Sequence, residues 1–357
     1  MRSLYLACPA VRGPGGIAAY ARSLLDALHP DPVDVLGQGA GPERFDLPLN
    51  ASFLGSPRSQ PAFAAQLARD YLLRPPTVFL FAHVGLTLPL ALLPRRPQHR
   101  VLVIGHGYEV WSRLSLRRGA ALNRIDSLVF TTQYNRALFL AGNRDRVSPE
   151  LRTPVIPLSA ARSLESISPF PTPASPKRRA LFVGRLVQEE PLKGISMLLR
   201  AAQKLPSSEW EIVIIGDGDA RAHFQQQAAT LGVTDRVKFL GWVDDATRSQ
   251  MLADSDLLCL PSAQEGFGIV LLEAMVAGRP SIGAAAGAIP EVLHSEVGET
   301  VPYEDDVALA AAMQRVSDRL RSGAITPESI RRHYDERFAW GKFRDAWRAH
   351  LAELQPV

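Results

Sequence analysis

Short apolar runs alternate with amphipathic stretches along most of the chain, and this rhythm restricts the fold more than any other feature. In the first half the runs are SLYLACPA, VDVLG, TVFLFAHV, RVLVIGHG, SLVFTT and TPVIPL. In the second they are RALFVGRL, EIVIIGDG, RVKFLGWV, DLLCLPS, PSIGAA and GETVPY. Helical patterns such as GIAAYARSLLDALH and ISMLLRAAQKL lie between many of them. A strand without polar alternation is buried on both faces, which fits a parallel sheet covered by helices. At 357 residues the chain exceeds what one ordinary core holds. The proline-rich stretch SPFPTPASPKRR, 168–179, stops both helix and ladder, because proline lacks the backbone donor. The expected architecture is therefore α/β: two doubly wound domains facing a central cleft, with ligands beyond the carboxyl ends of the strands. The expected bounds are 1–165 and 180–335, with a linker over 166–179 and a C-terminal helix over 336–357 packing back on the first domain. Phe338, Trp340, Phe343 and Trp347 recur there at helical intervals and are expected to cap a core or dock on the other domain.

Charge is spread unevenly. Residues 1–150 carry 17 arginines and no lysine against 10 carboxylates, a net of +7, while the whole chain is only +4. Such a half suits an anionic partner, a phosphorylated acceptor or a bilayer surface ahead of nucleic acid, unless it is simply a solvated face. Cys8 and Cys259 are the only cysteines, each inside an apolar run. They read as buried strand residues in a reducing compartment rather than as a disulfide framework. No C-x-x-C, H-x-x-x-H or H-E-x-x-H pattern occurs, which argues against a structural metal. The apolar part of the opening MRSLYLACPAVRGPGG is too short and broken for a secretory signal. VFLFAHVGLTLPLALLP, 78–94, falls short of the roughly 20 apolar residues of a membrane span and reads as a strand followed by a helix.

PSAQEGFGIVLLEAM, 261–275, sets Glu265 and Glu273 eight residues apart. At about 1.5 Å of rise per residue they stand about 12 Å apart along a helix. Paired carboxylates that share one glycosidic bond stand roughly 5–9.5 Å apart. The two acids suit instead the ends of one extended ligand, Glu273 accepting from vicinal hydroxyls such as those of a ribose and Glu265 from the hydroxyls of a sugar. Between them the backbone N–H groups of Gly266, Phe267 and Gly268 lead into a helix at Ile269, where phosphate is favoured. LFVGRLVQEEPLKGISMLL adds Gly184 and Arg185 behind a strand and Lys193 before a helix, a guanidinium and an ammonium that fit a diphosphate. ACPAVRGPGGIAAYARSL places Gly13, Gly15 and Gly16 between the first strand and helix, open to close backbone approach, but no G-K-[ST] follows to make a P-loop. VLVIGHGYEVW delivers His106 to a strand end between glycines, suited to orient an acceptor hydroxyl or touch a donor sugar. IIGDG, with Gly216 and Gly218, lacks the full dinucleotide fingerprint and reads as a strand-end turn, which disfavours a nicotinamide dehydrogenase. Plainer readings stay open: a helix cap at Glu265, a solvated Glu273, surface charges at Arg185 and Lys193, and a histidine satisfied by backbone at His106.

Together these segments resemble glycosyltransferase family 4 of the glycosyl transferases group 1, retaining enzymes of the GT-B architecture with two Rossmann-like domains. The resemblance runs over about residues 178–325, where FVGRL, LKG, IIGDG, KFLGWV, LCLPSAQEGFGIVLLEAMVAGRPSI and GAIPEV follow in order. It implies donor-sugar contact by Glu265, ribose contact by Glu273 and diphosphate contact by Arg185 and Lys193. It also implies a first-domain glycine loop at Gly16, a histidine near the reacting centre at His106, and Trp242 with Val243 beside the base. The implied reaction moves a hexose, with retention, from a nucleoside diphosphate sugar to a hydroxyl of a glycan or polyprenyl-linked acceptor, in polysaccharide or glycoconjugate biosynthesis. The donor is a substrate; no cofactor, metal or nucleic acid is implied. A cytoplasmic enzyme, held peripherally at the inner face of the cell membrane by its basic first domain, is the matching expectation. Three departures stand out: Gly287-Ala288 where many members have Gly-Gly, VIPLSAA at the end of the first domain, and an acidic spacer before Lys193. A nucleotide-sugar 2-epimerase and a non-catalytic sugar-nucleotide-binding partner subunit are the alternatives.

Overall fold

The computed structural model describes residues 3–9, 15–38, 49–75, 77–188 and 191–354, so Gly13 and the acidic pair Glu189 and Glu190 lie outside the described residues. The chain forms two compact units, Met1–Arg162 with Trp340–Val357, and Ser163–Ala339.

The first unit is built on β1 (Ser3–Cys8), β2 (Val33–Gly37), β3 (Ala51–Gly55), β4 (Thr77–Phe81), β5 (Arg100–Gly105) and β6 (Ser127–Phe130). They form one parallel sheet in the order β3-β2-β1-β4-β5-β6. Leu6 of β1 lies between Val35 of β2 and Leu80 of β4, and all three side chains are fully buried. This is the double-sided burial that the unbroken apolar runs require. β3 has no such run because it is an edge strand whose side chains are half-buried or exposed. TPVIPL, with Arg152 before it, contributes only single bridges, Ser127 with Arg152 and Phe130 with Val155, since Pro154 and Pro157 bring no N–H to a ladder. After β4 the apolar run turns into a 3-10 helix, Val84–Leu92, with Pro89 inside it. Among the described residues no helix is long and apolar enough to cross a membrane.

The helix Trp340–Glu353 belongs to this unit although it follows the second unit in sequence. Trp347 is fully buried, Phe343 meets Tyr20 edge-on at 5.8 Å, and His350 Nε2 and Ser127 Oγ share a 2.9 Å hydrogen bond. Phe338, two residues before the helix, lies in the second unit against Phe267, with ring centroids 6.1 Å apart. The aromatic stripe thus serves two cores.

The second unit repeats the plan with β7 (Arg178–Val183), β8 (Trp210–Ile215), β9 (Val237–Gly241), β10 (Leu257–Leu260), β11 (Ser281–Ala284) and β12 (Gly298–Val301). Its order is β12-β11-β10-β7-β8-β9, all parallel. Each sheet therefore follows the 3-2-1-4-5-6 winding, whose direction reverses between β1 and β4 in one and between β7 and β10 in the other. Cys8 on β1 and Cys259 on β10 are both fully buried free thiols, and burial pushes the Cys8 thiol up to about 12.

Much of the stretch expected as a linker is bound to the second unit. Arg279 is fully buried and donates to the carbonyls of Phe170 (3.0 Å) and Pro171 (2.7 Å), as well as to Leu252, Ala253 and Gly278. Arg331 donates to the Ile167 and Glu165 carbonyls at 2.6 and 2.7 Å. Extended chain around prolines cannot pair its own carbonyls, and at Phe170 and Pro171 the Arg279 guanidinium supplies the donors.

Candidate functional site

In a doubly wound sheet the loops that leave the two strands at the reversal diverge and open a crevice. In the second unit these loops follow β7 and β10, and they carry Gly184, Arg185 and Lys193 on one side and Pro261 to Gly268 on the other. The loops are joined along their backbones. Ala263 N donates to Leu192 O at 2.8 Å, and Ser262 Oγ donates to the same carbonyl at 3.3 Å. Gly194 makes the approach possible: its φ is +79°, and a Cβ there would stand 1.9 Å from the Pro261 carbonyl oxygen. The result is that Lys193 Nζ reaches Glu265 Oε2 at 3.1 Å, with side chains only 17% and 18% exposed.

A third loop closes on the same point. Ala288 N donates to Glu265 O at 2.9 Å, and Gly287, with φ +60°, lies where a Cβ would be 2.8 Å from that oxygen. The departure from Gly-Gly is explained by these dihedrals. Gly287 is the position that needs left-handed backbone, whereas Ala288 has φ −86°, which any residue adopts. Gly268, φ +82°, precedes the helix Ile269–Val276 and turns the chain into it. Phe267 is a core side chain, so it can offer a ligand only its backbone, and Ile269 is half-buried at the first helical position.

Arg185 is exposed in the loop after β7. That loop is fixed by Leu186 N donating to Asp217 O at 3.0 Å and by Ala220 N donating to Leu186 O at 2.8 Å. Gly216 and Gly218 sit directly against it, where added Cβ atoms would stand 1.8 Å from Gly184 O and 2.2 Å from Leu186 O. The IIGDG glycines are thus a strand-end turn shaped by close backbone packing beside Arg185. Trp242, 67% exposed, and half-buried Val243 follow β9 at the same carboxyl edge.

Glu273 does not join Lys193 and Glu265. It pairs with Arg248, Nε to Oε2 at 3.3 Å, on the helix Asp245–Ala253. Glu273 lines a cavity of about 20 Å³ together with Leu164, Ile167 and Phe170, room for a water. Burial pushes the Glu273 carboxyl above its ordinary range; Arg248 pulls it down and Asp245 pushes it up. Arg248 was invisible in the sequence, because nothing local links a residue one turn into a helix with an acid 25 positions later.

The raised carboxyl has a pH signature. A group that holds its proton more tightly when folded makes the unfolded state ionise first, so stability declines as pH climbs from the ordinary carboxyl range to the raised value, and levels off above it. Glu273→Gln is expected to remove that decline. Urea midpoints of the two proteins across the acidic range test this, and parallel profiles would contradict it.

In the first unit Gly15, φ +133°, precedes the helix Gly16–Leu28, and Cβ atoms built at Gly15 and Gly16 meet nothing within 4 Å among the described residues. His106 follows β5 and is half-buried. Its Nε2–H donates to Ala82 O at 2.9 Å, just beyond β4, and its ring meets Tyr20 edge-on at 4.7 Å. Its backbone N donates to Glu109 Oε1 at 2.6 Å, and its carbonyl accepts from Asn135 Nδ2 at 2.8 Å. Burial lowers the imidazole pKa; Glu109 and the Ala82 hydrogen bond oppose this. A carbonyl can only accept, so the neutral ring carries its hydrogen on Nε2 and its lone pair on Nδ1.

The family model "Glycosyl transferases group 1" matches residues 177–319, which hold the Lys193–Glu265 pair and Glu273. The phosphatidyl-myo-inositol mannosyltransferase of Mycolicibacterium smegmatis is 38% identical over 169 residues, 46% of this chain and 42% of that protein. The lipopolysaccharide core biosynthesis glycosyltransferase LpsD of Rhizobium meliloti is 29% identical over 225 residues, 58% of this chain and 64% of that one. The chain spans about half the length of the first of these curated relatives that it matches. Among solved structures, sucrose-phosphate synthase of Thermosynechococcus elongatus superposes with a TM-score of 0.81 at 21% identity, covering 99% of both chains. HepE of Anabaena in complex with UDP and glucose gives 0.81 at 19% identity, covering 99% of this chain and 100% of that one. The chain thus shares the GT-B fold, two parallel six-stranded sheets, with these solved structures, and its residues 177–319 match the glycosyl transferases group 1 model.

Proposed function

We propose that this chain is a retaining glycosyltransferase that moves a hexose from a nucleoside diphosphate sugar to a hydroxyl of a glycan or lipid-linked acceptor. The observation that carries the reading is the Lys193–Glu265 pair at the reversal point of the second sheet, held by three interlocked loops. An ammonium and a carboxylate fixed side by side suit the two faces of such a donor, the diphosphate and the sugar hydroxyls. Exposed Arg185 on the neighbouring loop adds a guanidinium for the diphosphate. Trp242 offers a flat apolar face to a base at the same edge.

In the reaction the acceptor oxygen bonds to the anomeric carbon as the bond from that carbon to the phosphate oxygen breaks on the same face. The acceptor proton passes to the departing phosphate oxygen. Charge grows on the diphosphate, and Lys193 and Arg185, already in place, meet it without reorganisation. Glu265 orients the sugar. Glu273 takes the ribose hydroxyls once they displace Arg248 from part of its carboxylate. His106 Nδ1, a lone-pair nitrogen at neutral pH, accepts from a hydroxyl of donor or acceptor. The acceptor is assigned to the first unit, with peripheral attachment to a membrane surface through its arginines.

The relatives support this reading by their names, which include mannosyltransferases and a lipopolysaccharide core enzyme. HepE of Anabaena has been crystallised with UDP-glucose. The test begins with a thermal-shift panel of UDP-, GDP- and ADP-sugars, since a ligand that binds only the folded state raises the midpoint. The stabilising donor is then incubated with and without glycan or lipid acceptors, in EDTA, and the product is read by NMR. Transfer with retained anomeric configuration is expected. An epimerised donor formed without acceptor, an inverted product, or no stabilisation by any donor would each refute it.

A further inference from the structure

The first unit has a concavity remote in the fold from the carboxyl ends of its strands. It lies at the amino end of the sheet, where β5 begins at Arg100 and β6 at Ser127, and has a volume of about 520 Å³. That is within the roughly 300–1,000 Å³ of small-molecule sites. Five arginines line it, Arg95, Arg96, Arg100, Arg124 and Arg152, against three carboxylates, Asp126, Glu150 and Glu353. Part of the arginine excess of the first half therefore collects around one hollow.

The carboxylates do little to neutralise it. Asp126 uses Oδ2 to accept from Val101 N at 2.8 Å, and its other oxygen is 3.9 Å from Arg95. Glu353 stands 3.9 Å from Arg152, and Glu150 is exposed. Among the described residues no ion pair holds Arg96 or Arg124, both of which are half-buried. Arg100 is held in place by the carbonyls of Leu354 at 3.0 Å and Pro97 at 2.7 Å. His99 is a neutral wall: its Nδ1 accepts from Thr77 N at 3.2 Å, and its Nε2 donates to Tyr71 O at 2.9 Å. Guanidiniums gathered about one hollow repel one another, and an entering anion relieves that repulsion. Their planar forks match phosphate oxygens two at a time.

We propose that this hollow is a binding site for a phosphate ester, carried either by a soluble metabolite or by a lipid headgroup. It stands independently of the donor site in the second unit, and nothing in it depends on that reading. Inorganic pyrophosphate, and vesicles of phosphatidylcholine containing phosphatidic acid, are titrated separately against the full chain and its variants. In Arg96→Ala/Arg124→Ala the affinity is expected to fall by about tenfold or more, as for lost charge-assisted hydrogen bonds. Arg58→Ala, which removes an exposed arginine outside the hollow, is expected to retain it. Pyrophosphate binding with this pattern assigns a soluble ligand, and vesicle binding with the same pattern assigns a headgroup. Glu150→Gln removes an exposed carboxylate and keeps every arginine, so it is expected to tighten binding; it answers the question even if the double variant fails to fold. Absence of binding to both probes, or equal binding by wild type and the arginine variant, overturns the proposal, as does an equal loss in Arg58→Ala.

Discussion

Lys193→Ala is expected to lower kcat/KM about 10²–10³-fold, the loss typical of one preorganised donor to developing negative charge. The lysine is fixed in the ground state by Glu265 at 3.1 Å and by the loops that flank it. Its removal takes away a charge that costs nothing to position when the leaving group departs. The same substitution strips Glu265 of its cation, and a partly buried carboxylate without a partner is a stability cost as well. The two effects separate by measurement. Lys193→Ala/Glu265→Gln restores thermal stability towards wild type yet leaves turnover low, because the second change removes the orphaned charge and not the catalytic defect. Arg185→Ala, exposed in the adjoining loop, is expected to cost about 10²-fold with little effect on stability. Turnover near wild type in both single variants would remove the diphosphate assignment.

Gly194→Ala is expected to be among the most disruptive single methyl groups in the second unit. Alanine at φ +79° is strained by itself, and the new Cβ would stand 1.9 Å from the carbonyl oxygen of Pro261. That oxygen is backbone and cannot rotate away, so the two loops must separate. Backbone strain and overpacking together amount to about 2–5 kcal/mol. Urea denaturation gives the change, and Gly16→Ala is the control. At Gly16 an added Cβ meets nothing within 4 Å among the described residues and the position is helical, so stability should move by about 0.5 kcal/mol or less. A Gly194→Ala protein as stable as wild type would mean that the loops are not joined as described.

These residues also mark how far the sequence could be read. Strands β1, β4, β5, β8 and β10 were legible because burial on both faces leaves an unbroken apolar run. β3 was not, since an edge strand with exposed positions writes no such run. The residue types of the site were legible at Lys193, Glu265 and Gly268, where charge and turn geometry are local matters. What joined them was not. The contact of Gly194 with Pro261, the left-handed Gly287 against Glu265, and the capture of Glu273 by Arg248 all depend on segments brought together by the sheet. The proline-rich stretch shows the same limit from the other side. Its composition read as an interdomain linker, and two of its carbonyls, Phe170 and Pro171, are bound by Arg279, whose position in the sequence gives no hint of that duty.

The first unit is discontinuous along the chain: its sheet is complete by Phe130, but the helix that seats Trp347 comes only at Trp340–Glu353. During synthesis from the amino end, every residue of the second unit, Ser163–Ala339, emerges before that helix does. The unit made first is therefore the last to be finished on the ribosome. Until that helix emerges, the surface around Tyr20 waits uncovered for a segment encoded beyond the whole of the second unit.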